Sequence, residues 1–358
     1  MRHAGISSAL LLSFFSWTAP VRAQTSVSAC QTINVAGSYV VTQNITNTIP
    51  PLPVCIDIQV PNVTLDCNGF TIADQPGNNG IGIQIASSNP IVTIYNVGVQ
   101  DCHVTGFSLG IYAFNGLDHE ITRNVVTSNT WDGILLDAVN ESIISYNMAD
   151  QNGVGASGAG IDIMYSYWNW VFGNQAQTND WGVILGIGSS SNVLWRNRIT
   201  LNGAGGIFLP SPVSSNWIFN NLFNNSNNSQ VTTTGTNTWI YDYPPVQTSV
   251  DPDFFTRVYG GGDQIGGNYW TNPTSNGPSE TCADAEPDGF CDTAVVLGTN
   301  NADTRPLSNR LLASSPITIS EPGNYELIND DRAAGTWLTI NSADVVVNCN
   351  DSTVSGTD

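Results

Sequence analysis

A glycine followed by an aliphatic residue recurs five times in the middle of the chain, at Gly110-Ile111, Gly133-Ile134, Gly160-Ile161, Gly182-Val183 and Gly206-Ile207, in steps of 23, 27, 22 and 24 residues. A second column drifts with it. Asp101, Asn124, Asn147, Asn174, Asn197 and Asn221 stand 23, 23, 27, 23 and 24 residues apart, and Asn129, Asn152, Asn179 and Asn202 each follow a column member by five. Two columns that lengthen at the same repeat mark one structural unit per period, and a period in the low twenties is one turn of a solenoid that buries its apolar face only against its neighbours. Within each unit the pairs Ile111/Ala113, Ile134/Leu136, Ile161/Ile163, Val183/Leu185 and Ile207/Leu209 share one side of a strand of period two. Leucine-rich horseshoes have a similar period but need a Leu-x-x-Leu-x-Leu consensus, whereas these turns are rich in Asn, Gly, Ser and Thr. The pattern predicts an all-β fold, a right-handed single-stranded parallel β-helix with coils of 22–27 residues. Its asparagines are expected at the bends, where Asn tolerates left-handed backbone and its amide can bond to the same amide one coil away.

The first residues point to export. Arg2 and His3 precede an apolar run from Ile6 to Trp17, and Val21-Arg22-Ala23 offers small residues to a signal peptidase, so residues 1–23 read as a leader. No later segment has the roughly 18–20 uninterrupted apolar residues of a membrane span. The expected location is secreted or cell-surface. Nine Arg, no Lys and 29 acids give a net charge of −20, which becomes −22 when Arg2 and Arg22 leave with the leader. Such a surface repels phosphate backbones, so nucleic acid is not an expected partner. Sequons at Asn44, Asn62, Asn140, Asn224, Asn227 and Asn350 are candidate glycosylation sites. An exported chain favours disulfides, and of seven cysteines one must be odd. Cys67 and Cys102 close successive opening coils, and the nearest neighbours in sequence give Cys30–Cys55 and Cys282–Cys291.

The stretch "TCADAEPDGFCDT", Thr281 to Thr293, packs acids between two cysteines. Counted from Asp284, carboxylates fall at positions 1, 3, 5 and 9 (Asp284, Glu286, Asp288, Asp292), with Gly289 at 6 and the Phe290 carbonyl at 7. This is the ligand spacing of a calcium loop. Val295 stands where a bidentate Glu would close the shell, so Asp303 or Asp263 is considered instead. A structural calcium ion is expected here, in a loop closed by Cys282–Cys291.

Three passages carry a resemblance to a known family: "GSYVVTQNIT" followed by "VPNVTLDCNGFTI", the Asn and Gly-Ile coils, and the tail "GGNYW", "DGFCDT" and "NADTRPL". Together they resemble right-handed parallel β-helix proteins of the carbohydrate-binding and sugar-hydrolase group, and in particular NosD-like secreted or surface-layer proteins. The resemblance implies an extracytoplasmic β-helix. It also brings copper into question, but three Met and three His, with His103 and His119 isolated, give no soft-ligand cluster.

Function has to be read from a site, because this architecture hosts lyases, epimerases, adhesins and scaffolds alike. The coils supply Asp132, Asp137, Asp162 and Asp180 with Arg123, Arg196, Arg198 and His119, but no acid repeats at one register apart from the loosely related Asp132 and Asp180, each beside a Trp, which read as turn caps. Aromatics are better ordered. Phe172, Trp195 and Phe219 fall on one outward column with Tyr146 nearby, as a ladder for sugar faces or as a surface covered by the segment from Thr232 to Tyr259. The sequence reading is a non-catalytic structural or carbohydrate-contacting module of an envelope or extracellular assembly, with a polysaccharide lyase or C5-epimerase as the alternative. The expected organisation is leader 1–23, β-helix 24–245, tail with the acidic loop 246–310, and an incomplete second β-helix unit 311–358. Gly323-Asn324-Tyr325 and Val345–Asn350 echo Gly37-Ser38-Tyr39 and Val63–Asn68, which implies further units in the same chain or a neighbouring subunit.

Overall fold

The computed structural model describes residues 24–48, 53–75, 79–155, 157–241, 265–285 and 289–308, with Val258 and short segments between 317 and 356. The expected leader lies outside the described residues. Each coil gives one short strand to each of three parallel sheets. One nine-stranded sheet runs from Thr25–Val27 to Trp217–Ile218, a second from Ile45–Asn47 to Tyr269–Thr271, and a ten-stranded sheet from Gln31–Ile33 to Ser229–Val231. Among the described residues the only helix is Pro278–Thr281, and none is long and apolar enough to cross a membrane. The chain is the expected parallel β-helix. Ile111, Ile134, Ile161, Val183 and Ile207 occupy one register and all lie in the central core.

The asparagine columns become three buried ladders. In the first, Asn124, Asn147, Asn174, Asn197, Asn221 and Asn268 each accept, through Oδ1, the N–H of the ladder residue one coil earlier, and the ladder ends on Asp303. The second runs Asn129, Asn152, Asn179, Asn202, Asn225. The third, which the columns did not reveal, runs Ser142, Asn169, Asn192, Asn216, Asn237, Asn301. The glycine column and the second ladder are one device: a Cβ at Gly160 would stand 2.7 Å from Asn179 Nδ2 and 2.9 Å from the Gly182 carbonyl oxygen.

Two expectations about the bends are corrected. The left-handed residue is the one before each ladder position, as at Arg123, Tyr146, Arg196 and Asn220, or Ser128, Gln151, Thr178 and Leu201. The ladder Asn turns inward and is buried, so its amide replaces water for the bend's N–H groups, while the preceding side chain is exposed, as at Tyr146, or covered by later chain, as at Asn220, which accepts the Val258 N–H. Asp101 takes such an outward place, paired with Arg123 at 2.9 Å, and Cys102 holds the ladder position.

The three expected disulfides, Cys30–Cys55, Cys67–Cys102 and Cys282–Cys291, are formed. The expected boundary at 245 does not separate a tail from the helix. Tyr269–Thr271 is the last strand of the second nine-stranded sheet, and Asn268, Asn301 and Asp303 extend two ladders. Farther on, three pairs of strands run parallel, Ile317–Ile319 with Leu338–Ile340, Gly323–Glu326 with Val345–Asn348, and Asp331–Ala333 with Val354–Gly356. Their register Gly323↔Val345 and Tyr325↔Val347 reproduces Gly37↔Val63 and Tyr39↔Leu65. Cys349 lies outside the described residues.

Candidate functional site

Strand periodicity turns every second residue of the ten-stranded sheet outward, and on three neighbouring coils that outer face carries Tyr112, Asp137 and Asp162. Tyr112 pairs with Leu135 and Leu135 with Asp162, so Asp137, two residues past Leu135, lies diagonally between the Tyr112 and Asp162 strands. The sequence argument set these acids aside because they share no register. The pairings keep them out of register, and the sheet sets Asp137 and Asp162 on a diagonal.

Asp162 is 8% exposed, its Oδ1 has no hydrogen-bond partner, and its own strand neighbours Ile161 and Ile163 belong to the core on the opposite face. Burial, then Asp132, then Asp137 hold its carboxyl well above the ordinary range. Asp132, 7% exposed, caps the next coil by accepting the Ala159 N–H at 2.7 Å, and burial pushes it up to about 6. Asp137 is half-buried and hydrogen-bonded to Tyr112; burial and then Asp137 push the tyrosine hydroxyl up to about 12. Along the same outer face Trp181 stacks on Phe208 with ring centroids 5.1 Å apart.

Exposed aromatics stand at both ends of this segment of the face. Trp131, next to Asp132, is 54% exposed; past the end of strand Ala159–Met164 come Tyr165, Tyr167 and Trp168, at 50%, 37% and 58%. Trp168 is a left-handed corner residue, so its ring is thrown outward by the same geometry that buries Asn169. The signal for it was available in sequence, as the residue before each ladder position, but only once the third ladder is known.

The sugar-contact candidates fare differently. Phe172, Trp195 and Phe219 do lie on one face in neighbouring coils, and Phe172 stacks on Trp195 at 4.4 Å. They are 2%, 1% and 0% exposed, packed with Ile265 and Tyr241, and Phe219 sits 5.1 Å from the Tyr241 ring. This is a correction: chain after the last coils folds back and covers them, and covered rings do not meet a ligand. Tyr146 remains exposed, its ring against Gly173.

The acidic loop is described only in part, since Glu286 and Asp288 lie outside the described residues, as does Asp263. Asp284 Oδ2 accepts from the Gly289 N–H at 3.1 Å and from Ser308 Oγ at 2.6 Å, and Asp292 Oδ2 accepts from the Ala285 N–H at 3.0 Å. Phe290 is buried with the Arg305 guanidinium 4.0 Å over its ring. Asp303, considered from sequence to complete the shell, is wholly buried and accepts from Asn268 N and Nδ2, Trp270 Nε1 and the Arg305 N–H. Of the sequons, Asn44, Asn62 and Asn140 accept hydrogen bonds from neighbouring coils, Asn227 donates one, Asn224 is half-buried, and Asn350 lies outside the described residues.

Fold and ladders define a parallel β-helix closed by its own tail. Residues 26–275 match the family described as periplasmic copper-binding protein (NosD), and the chain belongs to that family. No curated protein matches it. Solved structures similar to it include the enzymatically active domain of bacteriophage CBA120 tailspike protein 2, at 14% identity over 56% of this chain and 42% of that one, with a TM-score of 0.40. This chain thus spans about two fifths of that domain. The mannuronan C-5 epimerase AlgE4 A-module of Azotobacter vinelandii is 14% identical over 56% of this chain and 72% of that one, with a TM-score of 0.33. The periplasmic alginate epimerase AlgG is 14% identical over 89% and 62%, with a TM-score of 0.31.

The family description raises copper, and the donor set does not fit it. Copper prefers thiolate, thioether or imidazole ligands. The six described cysteines are in disulfides, Met148 and Met164 stand on different sheets, and His103 is exposed while buried His119 accepts the Val97 N–H through Nδ1. Among the described residues no three His, Cys, Asp or Glu side chains converge to hold a metal.

Proposed function

We propose that this chain is a non-catalytic, carbohydrate-contacting β-helix of the cell envelope or the extracellular space, with the outer face of the ten-stranded sheet as its contact surface. The observation that supports it most is the combination of Asp132, Asp137 and Asp162 with exposed Trp131, Tyr165, Tyr167 and Trp168 at both ends of one strand segment. Aromatic rings offer flat apolar faces that match the C–H faces of sugars, and flanking carboxylates accept hydroxyl hydrogens. Large exposed aromatics clustered this way are uncommon on a surface with no partner. The location follows the exported leader expected from sequence and the periplasmic description of the family. A glycan array combined with reducing-end and unsaturated-uronate assays on the mature chain tests it. Binding without new reducing ends or unsaturated uronate is expected, with Trp168→Ala weakening it by about tenfold and leaving the melting temperature unchanged. No bound glycan, or turnover of one, would sink the reading.

The proposal includes a structural calcium ion on the Asp284–Asp292 loop, supported by the ligand spacing of its carboxylates. Calcium at about a hundred times its Kd is expected to stabilise the fold by about 2.7 kcal/mol, seen as a rise in melting temperature that chelator abolishes. Identical melts with calcium and with chelator remove the ion.

A further inference from the structure

The contact surface proposed above carries a charge that narrows its ligand. Three carboxyl groups share the outer face around strand Ala159–Met164, and on the paired positions along that strand their sheet neighbours are apolar or neutral: Leu135 and Ile184 flank Asp162, and Met164 flanks Asp137. Asp162 is more than nine-tenths buried, its Oδ1 lacks any hydrogen-bond partner, and its side chain leaves the sheet on the side away from the core. A buried carboxylate oxygen left without a donor is costly unless a ligand supplies one. A compact divalent ion does not suit, since no three of the described acidic, histidine or cysteine side chains converge on one point. Uronates do not suit either, because their carboxylates would meet Asp132, Asp137 and Asp162. What fits spaced carboxylates bordered by exposed aromatic rings is a ligand with cationic donors set at sugar spacing.

We infer that Asp162, with Asp132 and Asp137 beside it, binds the ammonium groups of a glycan containing free amino sugars, while Trp131 and the Tyr165–Trp168 corner take the sugar faces. This rests on the glycan-contacting reading and assigns its substrate class. Each ammonium offers three donors, enough for Asp162 Oδ1 and a neighbouring carboxylate together.

The test is titration calorimetry of the mature chain with three probes: a β-linked glucosamine hexamer, its fully N-acetylated counterpart and a mannuronate hexamer. The glucosamine hexamer is expected to bind, the acetylated one at least about tenfold more weakly, and the uronate not at all. Asp162→Asn keeps the shape and removes the charge, and is expected to weaken glucosamine binding about tenfold or more. Glu120→Gln, an exposed carboxylate on the first nine-stranded sheet, controls for the general attraction of an acidic protein to a polycation and is expected to change little. Equal loss in both variants, or a preference for the acetylated or uronate probe, overturns the amino-sugar assignment while leaving glycan contact standing. Binding of none of the three, with an empty glycan array, overturns both.

Discussion

Asn174→Ala is expected to destabilise the β-helix by about 3–5 kcal/mol, measured as the shift in the urea unfolding midpoint. Asn174 Oδ1 accepts from the Asn147 N–H at 2.9 Å and from Asn147 Nδ2 at 3.0 Å, and its own Nδ2 donates to the Ile144 carbonyl at 2.8 Å and to Asn197 Oδ1 at 3.0 Å. Alanine removes all four bonds at once where water does not reach, because Asn147, Asn174 and Asn197 are each 1% exposed. The damage also reaches the next coils, since a solenoid is held by nearest-neighbour contacts. Asn89→Ala, in an exposed turn, is the matched control and is expected to cost less than about 1 kcal/mol. Equal losses for the two would mean that the ladder contributes nothing beyond ordinary Asn propensity.

Asp303→Ala is expected to be of similar size, about 3–6 kcal/mol, because it strands Asn268 N and Nδ2, Trp270 Nε1 and the Arg305 N–H in the closed end of the helix. Asp303→Asn should cost less, since an amide oxygen still continues the ladder. The carboxyl also makes stability depend on pH. Burial pushes Asp303 from 3.8 to about 7, against the pull of its four donors, and Asp132 is likewise raised to about 6. Between these values the folded chain holds protons that the unfolded chain releases, so this contribution is full near pH 4 and is lost as pH rises through 6 to 7. The melting temperature is therefore expected to be higher at pH 5 than at pH 8, and Asp303→Asn should flatten the difference. A wild-type melt that rises from pH 5 to pH 8 would contradict the raised carboxyls.

The repeat made the fold legible before any coordinates. A period kept in two columns permits little other than stacked coils, because a coil of some 22–27 residues has no second layer of its own to cover its apolar side. Cysteine positions were legible for the same reason: once coils are counted, Cys67 and Cys102 fall on adjacent turns, and the structure joins them. The echo of Gly37–Tyr39 at Gly323–Tyr325 likewise returned as the same strand register.

The third ladder escaped because Asn216, Asn237 and Asn301 are separated by 21 and then 64 residues, the tail being inserted between coils that remain neighbours in space. Sequence alone thus determined the coil, its inward aliphatic stripe and the amide-lined bends, all set by backbone period and by hydrogen bonds that must be met locally. Tertiary structure alone decided which outward residues stay outward. Phe172, Trp195 and Phe219 have the same strand parity as a surface ladder, yet Ile265 and Tyr241 return over them, while Trp168 stays exposed on its corner. It also decided that Asp132, Asp137 and Asp162, which never repeat at one register, share a single face. Diagonal proximity across a sheet depends on both strand spacing and stagger, and on whether later chain covers the face, neither of which a one-dimensional period encodes.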